Sequence, residues 1–105
     1  MEEIQQQTVK LTGKQTRFLR GKGHHLKPVV QIGKSGLGES LMAQIEECLL
    51  SHELIKVKIL ETCPDDRKVC ASAIVQATGA VLAQNIGRTL LLYRPHPEEP
   101  VLNLP

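Results

Sequence analysis

A chain of 105 residues, 41% apolar and 23% charged, has the size and composition to fold around one core, and with Phe18 and Tyr93 its only aromatic residues that core must be aliphatic. No apolar run approaches the roughly 20 residues of a bilayer span, and three cysteines (Cys48, Cys63 and Cys70) behind an acidic, Gln-rich start without an export signal argue against a secreted disulfide scaffold. A cytoplasmic location with free thiols is expected, and the net charge of +2 conceals a strong asymmetry.

Lys10, Lys14, Arg17, Arg20, Lys22, Lys27 and Lys34 fall between Lys10 and Gly38 with no Asp or Glu among them, while the remaining residues comprise six basic and eleven acidic groups. Solvated surfaces usually mix both signs. Separation this sharp points to a polyanionic partner.

Residues 1–9 read as a loose leader. Thr12 can cap a helix running to about His24, with Gly21 and Gly23 weakening its last turns so that it could end early. On a helical wheel Leu11, Gln15, Phe18, Leu19 and Leu26 share one side, and Lys14, Arg17, Arg20 and His24 the other. The basic run is therefore a face. Pro28 to Ile32 reads as a short strand, Gly33 to Gly36 as a loop, and the stripe Leu41, Ile45, Cys48, Leu49 as a helix through about Ser51.

Leu54 to Glu61 alternates, with Ile55, Val57 and Ile59 on one side and Lys56 and Lys58 on the other, as in a strand with one buried face. Asp65 or Asp66 can cap a third helix, striped by Cys70, Ala73, Ile74 and Ala77 and stopped by Gly79. Residues 80–86 and 88–94 make two strands joined by a hairpin at Gly87. Pro95, Pro97 and Pro100 then end regular structure and leave an exposed tail. The expected fold is an α/β chain of the α+β two-layer kind, ordered α-β-α-β-α-β-β. Three helices pack on a mixed four-stranded sheet in which each strand–helix–strand crossover favours a parallel pair. One domain is expected over residues 10–95, with a Pro-rich tail at 96–105.

The loop Gly33-Lys34-Ser35-Gly36 has the chemistry of an anion site. Its glycines let the backbone approach a phosphate, the following helix presents free N–H groups and a positive dipole end, Lys34 adds a charge and Ser35 a hydroxyl donor. A plain strand-to-helix turn would use glycine in the same way, but the acid-free basic segment beside it favours the anion reading. A nucleotide-hydrolysing P-loop would need glycine where Pro28 stands, and the dinucleotide fingerprint fails because Gly33, Gly36 and Gly38 reverse its spacing. Cys48 and His52 have metal-pair spacing, yet Cys48 lies on the apolar stripe and reads as core. His24 and His25 could titrate near a phosphate or serve as cap and surface residues. No nucleophile–base set emerges, so neither catalysis nor a cofactor is expected.

The strings LTGKQTRFLRGKGHHLKPVVQIGKSGL, HELIKVKI and NIGRTLLLYRP, in that order across about residues 11–95, resemble the CRM (chloroplast RNA splicing and ribosome maturation) domain, in its stand-alone bacterial YhbY-like form. The resemblance implies a fold similar to the C-terminal domain of translation initiation factor 3, and RNA binding through the GxxG loop and the neighbouring basic surface. It also implies an association with large-subunit ribosomal RNA or its pre-50S particle. Carried onto this chain, the expected RNA-binding residues are Gly33, Lys34, Ser35 and Gly36 with Lys14, Arg17, Arg20, Lys22 and Lys27. Lys56 and Lys58 are either outlying contacts or solvated strand residues. Scarce aromatics argue for phosphate and shape recognition over base stacking. A monomer is the expected state, and the competing reading is a protein-interaction module docking an acidic partner.

Overall fold

Thr12 opens the first helix. Its hydroxyl accepts the Gln15 backbone N–H at 3.1 Å, and the Gln15 side chain accepts the Thr12 N–H at 3.0 Å, which satisfies two otherwise orphaned donors. In the computed structural model, which describes residues 10–105, α1 spans Gly13–Gly23; the leader expected at 1–9 lies outside the described residues. The two glycines do not end the helix early. At Gly23 a Cβ would come within 2.6 Å of Leu91 Cδ1, so glycine is what lets the last turn of α1 lie against the sheet. Packing outweighs the propensity cost of about 1 kcal/mol.

Strand β1 (Pro28–Ile32) leads through the glycine loop to α2 (Glu39–His52), and β2 (Leu54–Ile59) follows. Of the two candidate caps for the third helix, Asp66 is the one used: its carboxylate accepts the Lys68 N–H at 3.1 Å at the start of α3 (Arg67–Thr78). Gly79 stops that helix in the left-handed conformation, φ +76°. The hairpin β3 (Val81–Ile86) and β4 (Thr89–Tyr93) completes the order expected from the sequence.

The sheet order is β1-β2-β4-β3, with β1 and β2 parallel and β4 antiparallel to both neighbours. The first crossover gives a parallel neighbour, as expected. The second does not: β3 runs in the direction of β2, but β4 folds back between them.

The α+β class holds, with three helices on a mixed four-stranded sheet; the layering differs from the two-layer expectation. The main core joins α2 (Ile45, Leu49) and α3 (Cys70, Ile74) to one face of the sheet through Val30, Ile32, Ile55, Val57, Ile59, Leu90 and Leu92. A second cluster on the other face joins Leu19 of α1 to Leu54, Ala83, Leu91 and Tyr93. Helices therefore cover both faces, and Leu90 to Tyr93 are buried at four consecutive positions because β4 is packed from both sides.

The prolines end regular structure after Tyr93, but the tail is not simply exposed. Leu102 and Leu104 pack against the α1 cluster, and the Pro105 carbonyl accepts from the Gln15 side chain at 3.1 Å. What holds the tail is Glu53, the residue between α2 and β2, only 3% exposed and the one non-glycine at positive φ (+64°) among the described residues. Its carboxylate accepts backbone N–H bonds from His96 (2.8 Å), Val101 (3.0 Å) and Leu102 (2.9 Å), while its carbonyl accepts the Arg94 N–H at 2.9 Å. Desolvation pushes this carboxyl up. The three N–H groups and nearby His96 outweigh it and hold the group below its ordinary 4.5.

Arg94 ties the opposite face. Its guanidinium donates to both Glu46 oxygens (2.8 and 2.6 Å) and to the Thr78 carbonyl at 2.8 Å, bridging α2 and the end of α3. The hydrogen bonds from Arg94 hold the Glu46 carboxyl below the usual range. Cys48 packs half-buried on the main core, matching its stripe position. Cys63 and Cys70 are free thiols with sulfurs 3.9 Å apart, and burial pushes the Cys70 thiol up to about 12.

Candidate nucleic-acid interface

The glycine loop forms a tight turn at the C-terminal end of the edge strand β1. The Gly36 N–H donates to the Gly33 carbonyl at 2.9 Å, which leaves Lys34 and Ser35 exposed at the tip. Gly36 is buried at φ +68°, a conformation that favours glycine, and a Cβ there would meet Pro64 and Asp65 at 3.6 Å. The turn is thus seated on the segment that enters α3. Helix α2 starts at Glu39, so Leu37 and Gly38 intervene between loop and helix.

The N-cap of α2 is Gly38, which makes no side-chain cap bond. The amides of the first turn are consequently open to an external acceptor. Glu39 stands in that same turn and contributes the opposing charge. Glu39→Gln is therefore expected to strengthen polyanion binding by a factor of about two to five, from the removal of a repulsion of a few tenths to 1 kcal/mol. Filter binding of the variant beside the parent chain checks this.

The basic face of α1 lies on the opposite side of the sheet from α2. Lys14 and Arg17 are exposed, as expected. Arg20 is exposed as well but anchored, its Nε donating to the Ala83 carbonyl of β3 at 3.1 Å. Lys22 Nζ sits 5.6 Å from the centroid of the Phe18 ring. Three surface clefts link these side chains. Arg17 and Lys22 line one of about 380 Å³ with Phe18 and His25. Lys22 and Lys27 line another of about 410 Å³ whose walls are mostly apolar, from Leu26, Val29, Leu54 and Leu102. Arg20 and His24 line a third of about 250 Å³.

That third cleft includes one of the two strand lysines left open by the sequence and adds two residues the sequence does not mark. Lys56, Gln84 and Thr89 line it with Arg20. The alternation of β2 places Lys56 on the face opposite the main core, but only the position of α1 over β2, β3 and β4 makes that face part of a basic cleft. Gln84 and Thr89 carry no signal in the sequence, because a neutral polar residue on a strand is ordinary. His24 also serves as the C-cap of α1, its N–H donating to the Arg20 carbonyl at 3.0 Å. His24 and His25 meet edge to face at 5.3 Å between centroids.

The comparisons with known proteins agree with this architecture. The profile of the CRS1 / YhbY (CRM) domain matches residues 11–94. The probable RNA-binding protein YqeI of Bacillus subtilis (strain 168) is 45% identical over 95 residues, which cover 90% of this chain and 99% of YqeI. An RNA-binding protein of Haemophilus influenzae is 46% identical over 95 residues, 90% of this chain and 95% of the relative. The solution structure of SAV1595, a hypothetical protein of Staphylococcus aureus assigned to RNA binding, superposes with a TM-score of 0.75 at 42% identity, covering 91% of this chain and all of that one. No described helix is long and apolar enough to cross a membrane. With a profile match from Leu11 to Arg94, across all three helices and all four strands, the chain belongs to the CRS1/YhbY (CRM) domain family.

Proposed function

We propose that this protein binds RNA through the phosphate backbone, and that its RNA is precursor ribosomal RNA of the large (50S) subunit during assembly. The observation that carries the reading is the acid-free segment Lys10–Gly38, which supplies both the basic face of α1 and the Lys34 turn. The naming of its relatives as RNA-binding proteins supports RNA as the polyanion. The ribosomal target rests on the resemblance of the three sequence motifs to stand-alone bacterial CRM proteins.

In this reading Lys34, the Ser35 hydroxyl and the first-turn amides of α2 hold phosphates, no side chain competing for those open N–H groups, while Gly33 and Gly36 close the turn that presents Lys34 and Ser35. Lys14, Arg17 and Arg20 hold further phosphates along α1, and Lys22 and Lys27 flank them. The role is binding without a chemical step or cofactor, in the cytoplasm.

If about five phosphates are neutralised, log K falls with log salt at a slope between roughly −3.5 and −4.5. Fluorescence anisotropy with a labelled ribosomal RNA fragment measures that slope. Lys34→Ala combined with Arg17→Ala is expected to weaken binding on the order of tenfold and flatten the slope by about 1.4 to 1.8. A flat salt response in the parent chain overturns the proposal. In cells, crosslinking should enrich large-subunit ribosomal RNA with the parent chain and lose it with the double variant. Recovery of an acidic protein in place of RNA would favour the protein-docking reading instead.

A further inference from the structure

Helix α1 covers only part of its face of the sheet. It ends at Gly23, against Leu91, and the strands continue beyond that point. Register fixes what lies in the uncovered part. Lys56 is paired with Leu91 and Leu91 with Gln84, making one row across three strands. In the next row on the same face, Gln31 pairs with Lys58, Lys58 with Thr89, and Thr89 with Ile86, across all four strands. At about 4.8 Å per strand spacing this row is about 14 Å wide.

The chemistry of the two rows is uniform in sign. They hold two lysines, two amides, a hydroxyl and the 63%-exposed Ile86, and no carboxylate. Arg20 and His24 close the lower edge, where the cleft of about 250 Å³ sits over buried Leu91. The upper edge of the row runs out to the glycine loop, since Gln31 is two residues before Gly33. The open face thus adjoins both halves of the proposed interface, which otherwise lie on different elements.

We infer that this open sheet face, with Lys56 and Lys58 at its centre, is a track for single-stranded RNA that joins the basic face of α1 to the Gly33–Gly36 turn. The inference rests on the RNA-binding reading above and adds the strandedness of the ligand. Three features select a single strand. The positive rows attract phosphates, and their amides and hydroxyl can reach base edges that a duplex keeps paired. The helix beside the track stands about 10 Å across, forming a wall that leaves the sheet floor to a narrow ligand. The cleft at its foot is smaller than the 300–1,000 Å³ typical of drug-sized ligands and suits one unstacked base lying on Leu91.

The test uses the full chain, anisotropy, and two labelled probes of equal length: an oligouridylate single strand and a blunt RNA duplex. Lys56→Ala with Lys58→Ala is expected to weaken single-strand binding on the order of tenfold and leave duplex binding within about twofold. The single-strand salt slope should flatten by about 1.4, at roughly 0.7 for each phosphate no longer neutralised. Lys58→Ala alone, at an exposed position that the core does not depend on, should give about half of that slope change. Equal losses on both probes, or none on either, would overturn the track while Lys34- and Arg17-dependent binding still upheld the proposed function. Failure of the parent chain to bind either probe would overturn both.

Discussion

Glu53→Gln is expected to lower the unfolding free energy by about 2–4 kcal/mol and to release the C-terminal tail. A charge-assisted hydrogen bond contributes about 1.5–3 kcal/mol. Glu53 accepts such bonds from three backbone N–H groups, although the tail amides near the surface recover part of the loss by hydration. Glutamine keeps one acceptor and turns an NH₂ donor toward donors. Urea denaturation measures the loss, and limited proteolysis should cut the variant beyond Arg94 far faster than the parent. The pH dependence has a definite sign. The folded carboxyl is held below its ordinary 4.5, so its stabilisation is complete at neutral pH and is lost as pH falls through the folded value. The gap in urea midpoint between parent and variant should therefore narrow as pH falls through that folded value, below 4.5. The same clasp holds Glu53 at φ +64°, a conformation costing on the order of 1–3 kcal/mol in a residue with a Cβ.

Leu19→Ala is the second large effect, expected to cost about 2.5–5 kcal/mol, the range for truncating a fully buried leucine where neighbours cannot collapse into the space. Leu19 is the fully buried residue that α1 contributes to the cluster of Leu54, Ala83, Leu91 and Tyr93, whose other members are fixed in the sheet. The main core on the other face stays packed, so the loss should be local. Hydrogen exchange should show α1 amides losing protection while Ile55, Val57 and Leu90 keep theirs. RNA affinity should fall with α1 order even though no basic residue has been changed.

The order of elements is legible in the sequence because each has its own periodicity and punctuation: Thr12 and Asp66 at helix starts, Gly79 and Gly87 at a stop and a turn. Which face each helix covers is not, because the apolar stripe of a helix says that it packs and not on which side of the sheet. The structure shows which residues could have signalled it. Leu90 to Tyr93 are apolar at four successive positions, whereas a strand with one wet face alternates, as Leu54–Ile59 does from Ile55 onward. Such a run requires cover on both faces. The role of Glu53 has no such signal, since a glutamate after a helix is ordinary until a tail returns from 43 or more residues away to bond it. At the candidate site, local chemistry alone marks Lys34 and Ser35. Lys56 stays ambiguous in the sequence because its neighbour in space, Arg20, lies on an element its own strand does not announce.

The insertion of β4 between β2 and β3 has a consequence for how the chain is made. As the polypeptide emerges from its N-terminus, β1 and β2 can pair as soon as Ile59 is free, but β3 has no hydrogen-bonding neighbour in the native sheet until β4 follows it. The strand that joins the two halves is also the last, and it must slide into a central slot with apolar side chains on both faces. Until Tyr93 has left the ribosome, β2 and β3 each keep an edge that only β4 pairs, and the floor beneath α1 lacks Leu91 and Tyr93. Only then can the tail return to Glu53. The fold closes from its end, and a chain stopped before Thr89 has no native way to connect its two halves.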